Sequence, residues 1–510
     1  MQFFFALASA LYAYLYSYLY YETPVTIKTT SGVLQGLQTN GVLTFKGIVN
    51  LASLDSKHNN ATGLGPACVQ QFPQFPLTSA GLYEFLFNNP ADPPPESEDC
   101  LFLNVWAPVF KPQSPKRPVL VWIHGGALAF GTASVPVYDG ASIAANQDII
   151  LVSLNYRTNV FGFPGSPELP IEQNNLGFLD QELALQWVQS NIAHFGGDPK
   201  QVTIMGQSAG SQSVSAALQR HPPGNAPFRA GIMLSGAHTS TPKSPAPAFA
   251  RFNTFSAAFG CTQAPGPARL ACLKQVPAPV IRNFTNGPTS DLFQPVADDV
   301  TMFSDPLERI RTGLTARVPF IIGNTQDDGS IVAVGLTDLA EFLSTTFAFL
   351  ESVTPAQARA FYPGLNDSLV VSAIARDVIF LCPAELWSGA AVGAGISNVY
   401  RYTYGPVFAD LQLFPGAGAW HCSELFEIFG TFNVSTATPA EVTLSRTMQT
   451  LIANFVKDPA QPPADGWPKY VPGNGTRTLA KLAYEGNVQA NDVVQAVESD
   501  AMVRVLAIPD

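Results

Sequence analysis

Charge is scarce in this chain, and what there is leans acidic. Only 13% of its 510 residues are charged, with 27 Lys and Arg against 38 Asp and Glu, for a net charge of −11. That shortage of positive charge speaks against nucleic acid and against anionic membrane surfaces as partners. Metal-ligand spacing is missing too. The six cysteines include no C-x-x-C pair, and the six histidines are scattered without an H-E-x-x-H. Neither a metal nor a cofactor is therefore expected. There is no internal repeat, and beyond residue 21 no apolar run is long enough to cross a bilayer.

What the chain does have is a 46% share of apolar residues, enough for one large core. Residues 22–510 read as a single domain behind a distinct leader, 1–21. Met1 to Tyr21 contains no charged residue and is rich in Phe, Leu, Tyr and Ala. It reads as a secretory signal with Ala8-Ser9-Ala10 as a small-residue cleavage site, or alternatively as an uncleaved anchor. N-x-S/T sequons begin at Asn60, Asn283, Asn366, Asn433 and Asn474. With an even cysteine count and an apolar leader, they predict an exported, extracellular glycoprotein. The cysteines are Cys68, Cys100, Cys261, Cys272, Cys382 and Cys422, and their pairing is not decided by spacing.

Val25 to Ile48 alternates apolar residues around Ser31-Gly32 and Asn40-Gly41, which predicts antiparallel strands with tight turns. Leu101–Trp106, Val119–Ile123, Ile149–Leu154, Val202–Met205, Gly231–Ser235, Val318–Gly323 and Asn398–Tyr404 read as further strands. Between them, Leu176 to Phe195 and Ser211 to Arg220 carry helical spacing. Buried strands alternating with helices imply an α/β fold: a large, mainly parallel sheet with helices on both faces.

The informative stretch is Gly206-Gln207-Ser208-Ala209-Gly210, which falls between a strand and a helix. A G-x-S-x-G in that place is a nucleophile elbow, the turn that lifts a serine hydroxyl above the sheet of an α/β-hydrolase. Such a serine needs a general base, and the base needs an orienting carboxylate; in this fold they follow in the order Ser, acid, His. Past residue 330 the only histidine is His421, whereas His221 and His238 come too soon after Ser208 for an acid strand to intervene. His421 is thus the base by elimination. The acid belongs in the loop after Val318–Gly323, where Asp327-Asp328-Gly329-Ser330 stands. Spacing does not separate Asp327 from Asp328. His124-Gly125-Gly126-Ala127 directly follows a strand and has the glycine pair that lets backbone N–H groups approach an oxyanion.

Longer motifs carry a family resemblance. The run from Phe195 to Gly210 (FGGDPKQVTIMGQSAG) and Glu98 to Val105 (EDCLFLNV) resemble the two signatures of the type-B carboxylesterase/lipase family, which includes cholinesterases and secreted fungal esterases and lipases. Asn155-Tyr156-Arg157, Phe161-Gly162-Phe163, Asp180-Gln181 and Ala184-Leu185-Gln186-Trp187 agree, and the likeness extends from about residue 26 to 485. The resemblance implies Ser208 as nucleophile, His421 as base and Asp328 as acid, with Asp328 standing where Glu is commoner. It also implies an oxyanion hole from the N–H groups of Gly125, Gly126 and Ala209, and disulfides Cys68–Cys100 and Cys261–Cys272. Cys382 and Cys422 are left to pair with each other or stay as thiols.

In lipases of this family the Cys68–Cys100 loop corresponds to a lid. Here it holds Phe72, Phe75, Leu82, Tyr83, Phe85, Leu86 and Phe87, which suits apolar esters and contact with a lipid interface, or else a fixed loop packed on the body. It has no tryptophan to hold a quaternary ammonium, and Gln207 replaces the anionic Glu of cholinesterases, so choline esters are disfavoured. One departure is the short Val49–Pro66 segment, which lacks the family's Pro-Tyr-Ala…Arg-Phe passage. The expected function is hydrolysis of small-molecule or lipid carboxylic esters through an acyl-enzyme. The alternative is a catalytically impaired or non-catalytic binding relative.

Overall fold

The computed structural model describes residues 22–30, 32–49, 60–72, 82, 84, 86–89, 92–111, 113–239, 241–287, 291–345, 353–472, 478–483 and 494–497. The leader, most of the short 49–66 segment, the lid residues Phe75, Tyr83 and Phe85, and the sequon at Asn474 lie outside them. The strands that build the sheet are β1 (Thr23–Thr29), β2 (Gly32–Thr39), β3 (Val42–Val49), β4 (Phe102–Pro108), β5 (Arg117–Ile123) and β6 (Ile150–Leu154). They continue with β7 (Gly197–Gln207), β8 (Ala230–Leu234), β9 (Phe320–Thr325), β10 (Val399–Tyr404), β11 (Thr478–Leu482) and β12 (Val494–Val497).

These form one 12-stranded sheet in the order β1-β2-β3-β4-β6-β5-β7-β8-β9-β10-β11-β12. From β6 through β11 every neighbouring pair is parallel, and the antiparallel pairs lie toward the two ends. Asn40 and Gly41 both have positive φ in the β2–β3 turn, as a tight two-residue hairpin requires. The last hairpin partner, β12, lies beyond the reach of the family motifs and was not anticipated.

Why the sheet is covered on both sides can be read along β5. Val119, Val121 and Ile123 enter one hydrophobic cluster, while Leu120 and Trp122 enter the other. Alternate side chains point to opposite faces, so a strand apolar throughout must be buried twice. On the first face lie helix α1 (Leu176–Asn191), with Leu185 and Val188, and helix α2 (Ala209–Arg220), with Val214 and Leu218. Helix α4 (Cys382–Gly393) joins them through Ala384 and Trp387. The second face is covered by helix α5 (Pro439–Lys457) through Leu444, Met448, Ile452 and Phe455. Helix α5 starts on a capping box between Thr438 and Glu441, which satisfies two of its otherwise orphaned N–H groups. Each fully buried side chain of this size contributes about 1.5–3 kcal/mol to the platform beneath the loops.

Disulfides join Cys68 to Cys100 and Cys261 to Cys272, while Cys382 and Cys422 are buried and not bonded to each other. Asn60, Asn283, Asn366 and Asn433 are all exposed. Among the described residues no helix is long and apolar enough to cross a membrane.

Candidate active site

Ser208 follows β7 and opens α2 with φ 57° and ψ −123°, a conformation costly for any residue with a side chain. The flanking glycines are dictated by packing. A Cβ on Gly206 would lie 2.3 Å from the backbone of Gly210, and one on Gly210 would lie 2.1 Å from the carbonyl oxygen of Ile123. The strain is therefore held by a strand on one side and a 12-residue helix on the other.

The glycine loop after β5 comes up against this turn. A Cβ on Gly125 would sit 2.8 Å from the Gln207 carbonyl oxygen and 3.1 Å from the Ser208 Cβ. Gly126 has φ +107°, and Ala127 and Leu128 also have positive φ, so the loop curls back and Ala129 and Phe130 both donate to the Gly126 carbonyl. The backbone N–H groups of Gly125, Gly126 and Ala209 have no acceptor among the described residues. His124 underpins the loop. Its Nδ1 lies 2.8 Å from the Gly125 carbonyl oxygen, and its ring stacks on Tyr156 at 4.4 Å, whose hydroxyl donates to the His124 carbonyl. Complete burial lowers its pKa to about 4, so it is a neutral structural histidine.

His421 lies in the loop after β10, and its Nδ1 is 2.8 Å from Asp328 Oδ1. The other oxygen of that carboxylate, Oδ2, accepts from the Ser235 hydroxyl at 2.9 Å and the Thr325 N–H at 2.9 Å. Both aspartates of the pair are used, but differently. Asp327 donates its N–H to the Ala419 carbonyl at 3.0 Å and accepts the Ala419 N–H on Oδ2 at 2.9 Å, which ties the acid loop to the loop carrying His421. Contact, not spacing, separates them.

No hydrogen bond joins Ser208 to His421. The Gln207 amide nitrogen lies instead 3.1 Å and 3.3 Å from the two ring nitrogens of His421, so the histidine sits against the residue that precedes the serine. Such bonds are commonly loose before substrate arrives.

Several groups around His421 were not foreseen. Ser235 was read only as the end of a strand; its signal is a serine directly after β8, at the same sheet edge, with φ 52°. Phe380 stacks on the His421 ring at 4.5 Å. Glu424 is fully buried, and desolvation followed by the nearby Asp328 pushes its carboxyl well above the usual range. Burial likewise raises Glu427 to about 8 and pushes the Cys422 thiol well up. Among the described residues no group of three or more His, Cys, Asp and Glu is placed to hold a metal ion.

The described part of the Cys68–Cys100 loop is bolted to the body. Phe72 and Phe87 are buried and pack on Phe130, with ring centroids 5.1 and 5.2 Å away. Gln70 accepts from the Gly131 N–H, and Glu96 pairs with Arg282 at 2.8 Å. Between this loop and the residues after His421 lies a mainly apolar cavity of about 140 Å³, lined by Leu86, Phe87, Val137, Tyr138, Cys422 and Phe426 among others.

A sequence model of the carboxylesterase family matches residues 54–354. The para-nitrobenzyl esterase of Bacillus subtilis is 34% identical over 397 residues, covering 74% of this chain and 78% of that protein. Carboxylesterase 1C of Rattus norvegicus is 32% identical over 398 residues, covering 73% and 72% respectively. The acetylcholinesterase of Bungarus fasciatus is 32% identical over 427 residues, covering 73% and 67%.

Proposed function

The chain belongs to the carboxylesterase family and is a carboxylic-ester hydrolase, and we propose that it works through an acyl-enzyme formed on Ser208. Ser208 attacks the ester carbonyl as His421 takes its proton, and Asp328 holds the imidazole so that Nδ1 keeps its hydrogen and Nε2 is the free base. The tetrahedral oxyanion is received by the N–H groups of Gly125, Gly126 and Ala209. Protonated His421 then gives its proton to the departing alcohol. Water, deprotonated by the same imidazole, releases the acid.

The observation that carries this reading is the 2.8 Å contact between His421 and Asp328, set beside a strained serine turn and backbone N–H groups with no acceptor. The apolar cavity next to Cys422 and the phenylalanines of the Cys68–Cys100 loop favour esters with apolar acyl or alcohol groups. Gln207, a neutral amide beside the serine, offers nothing to a choline cation. Two disulfides and exposed sequons support an extracellular protein. The test is hydrolysis of p-nitrophenyl esters from acetyl to long-chain acyl by the wild type and Ser208→Ala, with fluorophosphonate labelling of the folded protein. We expect labelling at Ser208 and a rate loss of several orders of magnitude in the variant. Equal rates for the two proteins would favour the non-catalytic reading of the fold.

A further inference from the structure

We propose that Phe380 is a positioning residue for the base: its ring fixes the plane of the His421 imidazole. The helical run from residue 367 to 393 consists of α3 (Asp367–Arg376), a π-helical turn at Asp377–Leu381, and α4. In that turn the Cys382 N–H donates to the Asp377 carbonyl five residues back. The cause is visible in the sequence. Pro383, in the first turn of α4, has no N–H to give, and in a regular helix its ring would crowd the carbonyl of Ile379. Widening the preceding turn relieves the crowding and shifts the register of the side chains by one residue. The turn is anchored by buried Asp377, which accepts from the Tyr362 hydroxyl at 2.7 Å and from Arg376 Nε at 2.6 Å.

What the widened turn presents to the site is Phe380. It is buried, and its ring lies 4.5 Å from that of His421 with 29° between the planes. The bond from Nδ1 to Asp328 holds one point of the imidazole, and among the hydrogen-bonding groups of the described residues rotation about that bond is opposed by the Gln207 amide nitrogen, 3.1 and 3.3 Å from the two ring nitrogens. A flat group against the ring face removes the rotation. The same π face also favours the imidazolium formed as Ser208 loses its proton.

The inference rests on the reading of His421 as base. Its test is kcat and KM of the full chain on p-nitrophenyl butyrate for Phe380→Leu, Phe380→Ala and Phe380→Tyr, with melting temperatures alongside. Leucine preserves most of the apolar volume but has no flat face. Phe380→Leu and Phe380→Ala are expected to lose roughly tenfold or more in kcat with KM within about twofold, the signature of misorientation rather than lost binding. Phe380→Tyr should recover most of the rate. Wild-type kcat in Phe380→Leu would overturn the proposal. So would losses that track melting temperature alike in the leucine and tyrosine variants. Ser208→Ala and His421→Ala, run together with these, separate the two readings. If they keep their activity the assignment of the base fails; if they lose it while Phe380→Leu does not, only the role of Phe380 fails.

Discussion

Replacing Asp328 by Asn changes a single atom of the acid, and the surroundings decide which way the new amide turns. Oδ2 accepts from the Ser235 hydroxyl and from the Thr325 N–H. The hydroxyl can rotate to become an acceptor, but the backbone N–H cannot. An amide NH₂ on that side would leave the Thr325 donor buried and unpaired, at a cost of about 1–3 kcal/mol. The amide oxygen therefore takes the place of Oδ2, and the NH₂ faces His421 Nδ1. That nitrogen must then accept, so its hydrogen moves to Nε2, where it blocks removal of the serine proton. The charge-assisted bond to the imidazolium is lost as well, worth about 1.5–3 kcal/mol.

An imidazole held in the wrong tautomer can cost up to about 10⁴ in kcat, so with the lost bond the variant should fall by about 10²–10⁴ in kcat, with KM little changed. Asp328→Glu keeps an acceptor on both sides and should lose much less. Steady-state kinetics on p-nitrophenyl butyrate measure both variants, with melting curves to show that each is folded. Activity of Asp328→Asn within tenfold of wild type, or above that of Asp328→Glu, would refute the tautomer argument.

Other changes probe the parts that hold this pair in place. Asp327→Ala removes the acceptor for the Ala419 N–H and should lower kcat roughly 10–100-fold while leaving KM nearly unchanged, whereas Asp327→Asn keeps an acceptor and should stay close to wild type. Gly125→Ala puts a methyl 2.8 Å from the Gln207 carbonyl oxygen and should displace the N–H groups beside Ser208, for a loss of about 10²–10³ in kcat; fluorophosphonate labelling rates follow the same loss independently of substrate binding. Glu427 has its pKa raised from 4.5 to about 8 by burial, so the folded protein holds a proton there that the unfolded chain releases between these values. Its stabilising contribution is complete below pH 4.5 and is lost as pH rises through 8. Denaturant midpoints of Glu427→Gln should therefore fall less between pH 5 and 8 than those of wild type.

Much of the architecture was legible because the chain punctuates itself. Apolar runs of four to six residues bounded by Gly, Pro and Asn located the strands around Ser208, and a G-x-S-x-G after one of them singled out Ser208 as the candidate nucleophile. Choosing between Asp327 and Asp328 was another matter. Adjacent residues in an irregular loop have no period that aims one of them at a target; only the pairing of Asp327 with Ala419 turns Asp328 toward His421. Ser235 escaped notice because a serine at a strand end is commonplace, and its importance comes from β9 lying next to β8. Phe380 was not singled out by any sequence motif. Its aim depends on the widened turn before Pro383, and a helical period carried through residue 381 would have pointed it elsewhere.

The elimination that leads to His421 has a physical counterpart in the sheet. Strands β7, β8, β9 and β10 are consecutive parallel neighbours, each about 4.8 Å from the next, so the loops after them open on the same edge. Ser208 follows β7, Ser235 follows β8, Asp328 lies in the loop after β9, and His421 in the longer loop after β10. Chain order along that edge is therefore spatial order, and for His421 to act on Ser208 its loop must reach back across β9 and β8. A loop making that reach needs support along its length. Asp327 holds it at Ala419, Asp328 holds the ring edge, and Phe380 lies on the ring face. Removing any one of the three should thus reduce turnover more than substrate binding. The double variant Asp327→Ala/Phe380→Leu should lose less than the product of the single losses, because both act on the orientation of one imidazole. Strictly multiplicative losses in kcat would mean that the two act on different steps.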